Sequence, residues 1–434
     1  MEGRADFVAG GHRLSGTLNF PRRINTAYFN AAVWRVYNDF VDAMSTSLHD
    51  LNITAPVKVL KADGGTMPLE YSRSFPVQTI LSGPSASVMG ALALQARPHD
   101  AQSTGDAQAR PHDAIVLDLG GTTTDMAIFA HGTPLLETEG TRIGGKATLV
   151  RSIKTVSIGI GGDSLIKVDG STVDVGPERI GPACCFGGSR PTLMDAFIYR
   201  GLSEGLSQTA NEERYGELSA FADEGRSEKL FTELAAAHGV EPSPLAEQVI
   251  NAATRKITGT VDTILRELRE KPVYTIYEML HRDPIRPQKL VLLGGPAPAF
   301  AQPLGEALGI EAEVVPFHGI ANAVGAAVTR GTMEIELFAD TERNLMTIPE
   351  LNISTSIPDT YSLEQARTDA VRYLTSFIEE QGFGASADAI EITEAESFAM
   401  MDWMMRRGDN IRVKAQLRPA ITTRIAPTKE DKYE

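Results

Sequence analysis

Three glycine-rich turns hold the residues best suited to chemistry. Each follows an apolar run: "DLGGTTTD" at 118–125, "GIGGDS" at 159–164 and "LGGPAPAF" at 293–300. Paired glycines let a backbone approach a phosphate closely and turn several N–H groups towards it. Gly120, Gly121, Gly161, Gly162, Gly294 and Gly295, with the neighbouring Pro296, are therefore the candidate nucleotide-binding positions. Thr122, Thr123 and Thr124 add hydroxyl donors to the first turn. Carboxylates this close would repel phosphate unless a cation lay between them. Asp118, Asp125 and Asp163 thus suit Mg²⁺, held through water because Mg²⁺ keeps much of its hydration shell. Asp118 and Asp163 could also orient a nucleophile for phosphoryl transfer. Two plainer readings stay open. The carboxylates could bond only turn N–H groups, and the Gly-Gly pairs could be hairpin geometry alone.

Other signatures are absent. The sequence has no GxxxxGK[ST] loop, no GxGxxG opening a helix, no GxSxG elbow and no HExxH. Its histidines are scattered. His99 and His112 sit in a repeated "QARPHDA", at 95–101 and 108–114. The repeat reads as a duplicated surface loop rather than a metal pair, and two copies make no solenoid.

The elements that must position the turns follow from periodicity. "AIVLDLGGTTTDMAIFAHGTPLLETEG" at 114–140 is a β-meander: strand, Gly turn, strand, Gly turn, strand. Residues 155–188 continue in short strands. "QKLVLLGGPAPAFAQPLGEALG" at 288–309 is a strand, a turn and a helix, and 312–331 is a second strand and a small-residue helix. Residues 24–50 have helical apolar spacing (Ala27, Ala31, Trp34, Tyr37, Val41, Met44, Leu48), and 57–62 is a short strand. Residues 76–96 read as a strand, a Ser-Gly-Pro turn and a helix, with Pro84 in the first helical turn. Residues 192–282 look mainly helical. An amphipathic helix at 362–382 and strands at 389–395 and 410–417 suggest a small separate α+β unit over 332–434.

Composition narrows the class. With 434 residues there is room for two or three domains, and 42% hydrophobic against 22% charged residues suits a globular chain. A net charge of −15 without a basic run argues against nucleic acid or an anionic membrane as partner. No apolar stretch approaches the ~18–20 residues of a membrane span, and the opening "MEGRADFVAGGHRLSG" does not read as a secretory signal. The adjacent Cys184 and Cys185 offer neither a disulfide framework nor metal spacing, so the cytoplasm is the default expectation.

"DLGGTTTD" within a meander resembles the second phosphate loop of the actin, sugar-kinase and heat-shock ATPase superfamily. "SGPSASVMGALAL" and "IANAVGAAVTR" resemble its two connecting helices, and "VLLGGPAPAF" its adenosine loop. More narrowly, "INTAYFNA", "KADGGTM", "PVQTILSGPSASVMGA", "IVLDLGGTTTDMAI", "GIGGDS", "VGPERIGP" and "VPFHGIANAVGAA", in order over about 24–331, resemble the A-type chain of the hydantoinase/oxoprolinase family. The fold this implies is α/β and actin-like, with ribonuclease H-like lobes. Residues 1–110 would be the remaining part of the first lobe, 111–331 the complete second lobe with a helical insertion at about 192–282, and 332–434 the C-terminal unit. The activity it implies is ATP- and Mg²⁺-dependent activation of a cyclic amide carbonyl for hydrolytic ring opening. The partners it implies are a small cyclic amide and a B-type subunit, with self-association as a homo-oligomer open. Relatives with this module activate ketones for carboxylation. The family's leading Gly-Thr loop has no copy before residue 118, so the expectation is a shortened first lobe, weak ATP binding and little turnover by the chain alone. The alternatives are a chaperone-like ATPase of the reactivating-factor type and a catalytically weak remnant that binds a partner.

Overall fold

Apolar runs broken by Gly-Gly fold as the meander pattern requires. The computed structural model describes residues 5–95, 113–137, 139–203, 222–270, 285–384, 389–403 and 405–425. Strand Ala114–Leu119 pairs antiparallel with Thr124–Ala130, which pairs in turn with Thr155–Ile158 and with the short Thr133–Pro134. On its other side Ala114–Leu119 runs parallel to Lys289–Leu293, which runs parallel to Glu311–Val314. The parallel pairs need long crossovers, and helices supply them. Successive side chains of a strand face opposite ways. Ile115, Leu117, Leu119, Met126, Ile128, Leu290 and Leu292 accordingly enter one core cluster with Phe197, Phe231, Val249, Ile257 and Phe300 from the covering helices. Those helices are Leu193–Ser203, Glu224–Ala237, Pro242–Glu270 and Ala297–Leu308. Pro242–Glu270 buries Leu245, Val249, Ala253, Ile257, Val261 and Ile264 at three- and four-residue steps, the spacing of one helix face.

The chain divides into two compact units. The first comprises 1–89, 136–153 and 326–423, and the second 90–135, 154–325 and 424–434. The small unit expected over 332–434 is therefore not separate, because it shares a core with the N-terminal segment. A five-stranded antiparallel sheet runs in the order Ile353–Ser356, Leu345–Ile348, Glu334–Asp340, Met405–Leu417, Ile390–Asp402. Helix Leu363–Glu380 packs on it, started by a capping box between Ser362 and Gln365. Met67, in the strand Thr66–Pro68, is fully buried in the same cluster as Ile335, Leu337, Leu374 and Val413. Thr66 also bridges to Gly331.

Two local expectations change. Residues 76–79 form a 3₁₀ turn rather than a strand, and the following helix, Ser82–Leu94, begins two residues before Pro84. Pro76 has no N–H for a strand ladder and suits a first helical turn. Helix Phe20–Asp50 buries Thr26, Asn30 and Val41, while Phe20, Ile24, Tyr28, Val36 and Phe40 are exposed. Asn30 explains the polar contact: its side-chain amide donates to Ser74 O and its oxygen accepts from Val77 N. Both histidines of the repeated loop, His99 and His112, lie outside the described residues.

Candidate functional site

The three glycine turns meet within the second unit. Gly162 N donates to Gly120 O at 3.0 Å, and Asp163 N donates to Gly121 O at 2.7 Å. The 161–163 turn is thereby laced along the back of the 120–123 turn. The third turn arrives from the parallel neighbour, since Leu293 stands in register with Asp118. A Cβ on Gly294, whose φ is +94°, would lie 2.1 Å from Leu119 O and 2.8 Å from Asp118 Oδ1. Only glycine fits there, on grounds of both space and backbone conformation. A Cβ on Gly121 would stand 2.7 Å from Asp163 Oδ2, one on Gly161 2.6 Å from Gly120 O, and one on Gly162 3.0 Å from Pro296 Cγ.

This packing leaves donors unspent. The N–H groups of Gly121, Thr122, Thr123 and Gly295 donate to no acceptor among the described residues. Thr122 is exposed and Thr123 half-buried. Thr124 differs: it is fully buried, and its hydroxyl donates to Ile160 O at 2.7 Å. Its contribution is to tie the first turn to the second. Gly120 N closes the first turn onto Thr123 O.

Asp118 and Asp125 are directly opposite each other in an antiparallel pair, so their side chains share one face. Like charges so placed repel unless a cation lies between them. Carboxylate and hydroxyl oxygens are hard donors, the kind Mg²⁺ prefers. Among the described residues no cluster of three or more His, Cys, Asp or Glu is placed to hold a metal directly. A two-carboxylate, largely water-bound ion is the kind that fits this donor set. Asp163 is held differently, by Arg179 at 2.8 Å and by Ala183 N at 3.1 Å.

Further residues, which sequence reasoning does not single out, shape the site. Asp195, with no exposed surface, accepts from Cys184 N, Cys185 N, Thr192 N, Thr192 Oγ1 and Ser227 Oγ at 2.8–3.1 Å. It fixes the segment that follows Arg179. Leu193 N and Met194 N then donate to Ser164 O and Gly162 O, which carries that order back to the second turn. The pattern Thr192-x-x-Asp195 ahead of an apolar run is a helix-start signal that marks the position. His318 clamps the third turn from both sides: Gly294 N donates to His318 O at 2.9 Å, and His318 Nδ1 lies 2.8 Å from Gly294 O.

The model of the hydantoinase/oxoprolinase family matches residues 23–335. No curated protein matches the sequence. Among solved structures, nucleotide-free acetone carboxylase, from work on ATP-dependent acetone carboxylation, is similar at a TM-score of 0.54 and 17% identity over 92% of this chain. The chain spans 58% of that protein's length. MreB5 of Spiroplasma citri bound to ADP is similar over 57% of each chain at a TM-score of 0.25 and 12% identity. A non-polymerisable pCBH ParM mutant is similar at 0.24 and 9% identity, over 55% of this chain and 50% of its own. The chain shares its fold with acetone carboxylase, and its mixed α/β architecture agrees with the α/β fold that the resemblance implied.

Proposed function

The chain belongs to the hydantoinase/oxoprolinase family, and from that membership we propose that it is an A-type subunit which binds Mg-ATP and activates a cyclic amide carbonyl for ring opening. The observation that carries this reading is the convergence of the 120–123, 161–163 and 294–296 turns around the Asp118–Asp125 pair. ATP, when bound, supplies the phosphoryl group that turns the amide oxygen into a leaving group. The chain's own contribution is placement and charge. The free N–H groups of Gly121, Thr122, Thr123 and Gly295 face a phosphate chain, with Gly294 to Pro296 beside the nucleoside. Asp118 and Asp125 hold Mg²⁺ through water, and Asp118 and Asp163 orient the attacking group. A B-type subunit completes the assembly in this reading, and the protein works in the cytoplasm. Among the described residues no helix is long and apolar enough to cross a membrane.

The test is thermal. Mg-ATP raises the melting temperature of the natural chain, and Asp118→Ala abolishes the rise. A rise of equal size in Asp118→Ala overturns the site. Stimulation of ATP hydrolysis by hydantoin or 5-oxoproline, alone or with a B-type subunit, supports the cyclic-amide reading, whereas stimulation by another protein and by neither amide overturns it in favour of a chaperone-like ATPase.

A further inference from the structure

A phenylalanine beside the third glycine turn holds a backbone shape that phenylalanine disfavours. Phe317 has φ +54°, in the left-handed region. There Cβ crowds the backbone, so bulky residues are outliers and glycine or asparagine is the usual occupant. The shape is imposed from both sides. Ahead of Phe317, Val315 N donates to Leu292 O at 3.1 Å; behind it, Gly294 N donates to His318 O at 2.9 Å. His318 Nδ1, 2.8 Å from Gly294 O, adds a second tie, and Ile320 N donates to Phe317 O at 3.0 Å. The chain at 315–318 thus continues beside Leu292 to Gly294 after the parallel pair Lys289–Leu293 and Glu311–Val314 has ended. Phe317 sits one residue from the tie to Gly294. All of these residues belong to the second unit.

The fold does not call for an aromatic ring at this place. Phe317 is 42% exposed, and Ile320, in the adjoining 3₁₀ turn His318–Ile320, is 57% exposed. The ring meets no other aromatic ring and no cation among the described residues. Glycine would take the same φ without strain, so the turn needs no side chain for its shape. A single exposed apolar residue is ordinary. One kept in a strained conformation by fixed surroundings is not, and such strain gathers at ligand clamps and active sites.

We infer that Phe317 is the platform on which the purine base of the nucleotide stacks, with Ile320 extending the apolar surface. The inference rests on the nucleotide reading of the glycine turns and deepens it. In that reading the phosphates take the free N–H groups of the first turn, and the nucleoside lies beside Gly294 to Pro296. The base then needs an apolar surface next to the third turn. The stretch "VPFHGI" at 315–320 offers one, since its polar side chain, His318, is occupied with Gly294 O. A base has flat π-faces, which aromatic rings hold by stacking whatever the pattern of hydrogen-bonding groups at its edge. A purine covers more of the ring than a pyrimidine does.

Calorimetric titration of the full chain with Mg-ATP, Mg-ADP and Mg-tripolyphosphate separates the base from the phosphates. Phe317→Gly suits the backbone and removes the ring. It should weaken ATP and ADP by about tenfold, as loss of one stacked base does, and leave tripolyphosphate unchanged. Phe317→Tyr keeps a ring and should bind all three as the natural chain does. If Phe317→Gly lowers the melting temperature, Phe317→Trp carries the test: the emission it adds to that of Trp34 and Trp403 should change with ATP and not with tripolyphosphate. Unchanged ATP affinity in folded Phe317→Gly, an equal loss of ATP and tripolyphosphate, or an added emission in Phe317→Trp that ignores ATP overturns the inference and leaves the nucleotide site standing. A natural chain that binds none of the three ligands overturns the nucleotide reading, and this inference with it.

Discussion

Gly90 lies so close to Ala321 that a Cβ on it would stand 1.9 Å from the Ala321 carbonyl oxygen and 2.6 Å from its carbon. Both residues belong to the second unit, Gly90 in the helix Ser82–Leu94 and Ala321 in the helix Ala321–Val328. The obstruction is backbone, which has no rotamer to move aside. Gly90→Ala therefore forces the helices apart and should cost about 1–3 kcal/mol or more. Gly83, in the same helix, has nothing within 4 Å of the place a methyl group would take. Gly83→Ala should be neutral or stabilising by up to about 1 kcal/mol. Urea unfolding of the pair checks the contrast, and equal effects would refute it.

Asp195 should be the costliest single carboxylate to remove near the site. Asp195→Ala strands five buried donors, from Cys184, Cys185, Thr192 and Ser227. Breaking a buried charged network of this kind costs on the order of 3–5 kcal/mol. Chemical denaturation measures it. A loss below about 1 kcal/mol, the range of an exposed pair, would show that the network carries little.

Glu350 imposes a pH dependence whose sign follows from its raised value. Unfolded, the carboxyl titrates near its ordinary value of 4.5; folded, it holds its proton up to about 8. Its contribution to stability is complete below about 4.5 and declines as pH rises through about 8. Glu350→Gln removes the charge that burial opposes. The melting temperature of the variant relative to the natural chain should therefore rise between pH 5 and 9, roughly the span of the two values. A difference flat across that range would refute the assignment.

Cys184 and Cys185 are free and almost fully buried. Burial, then the nearby Asp195 charge, raises both thiols, Cys184 to about 12. Thiolates are the reactive form, so neither should react with a thiol reagent in the folded chain. Both should titrate in denaturant. Rapid labelling of the native protein at pH 8, roughly the free-thiol range, would contradict this burial.

The strand-turn-strand at 114–130 is legible in the sequence because an apolar run ending in Gly-Gly leaves few other outcomes. Its helical cover is legible from spacing, as in Pro242–Glu270. The lacing of the turns is not, because Gly162 N finds Gly120 O only once the sheet has formed. Nothing in "TMP" at 66–68 announces that Met67 will complete a core built mostly from residues beyond 332. Three-residue strands carry too little periodicity to reveal a partner. The strands at Ile390–Asp402 and Met405–Leu417 run beyond 389–395 and 410–417, because they go on pairing with each other where their far ends, with Phe398, Met401 and Met405, are exposed. Asp63 and Glu350 are invisible in the sequence as a pair of opposites. Against burial, Lys61 and Gly65 close in the chain and the distant Arg151 hold Asp63 as an anion, whereas burial holds Glu350 as an acid.

The first unit is assembled from three stretches of chain, the last reaching residue 423. Gly16 N already needs Glu350, and Thr66 needs Gly331. On the ribosome, then, the opening segment emerges long before its partners exist. The strand order and apolar runs of the intervening unit, 90–135 and 154–325, let that unit close first. Met67 must wait uncovered until the stretch 326–423 that buries it has been made. Such delayed pairing is slow and prone to aggregation, so yield from expression should respond more to temperature and translation rate than to the stability of the finished fold.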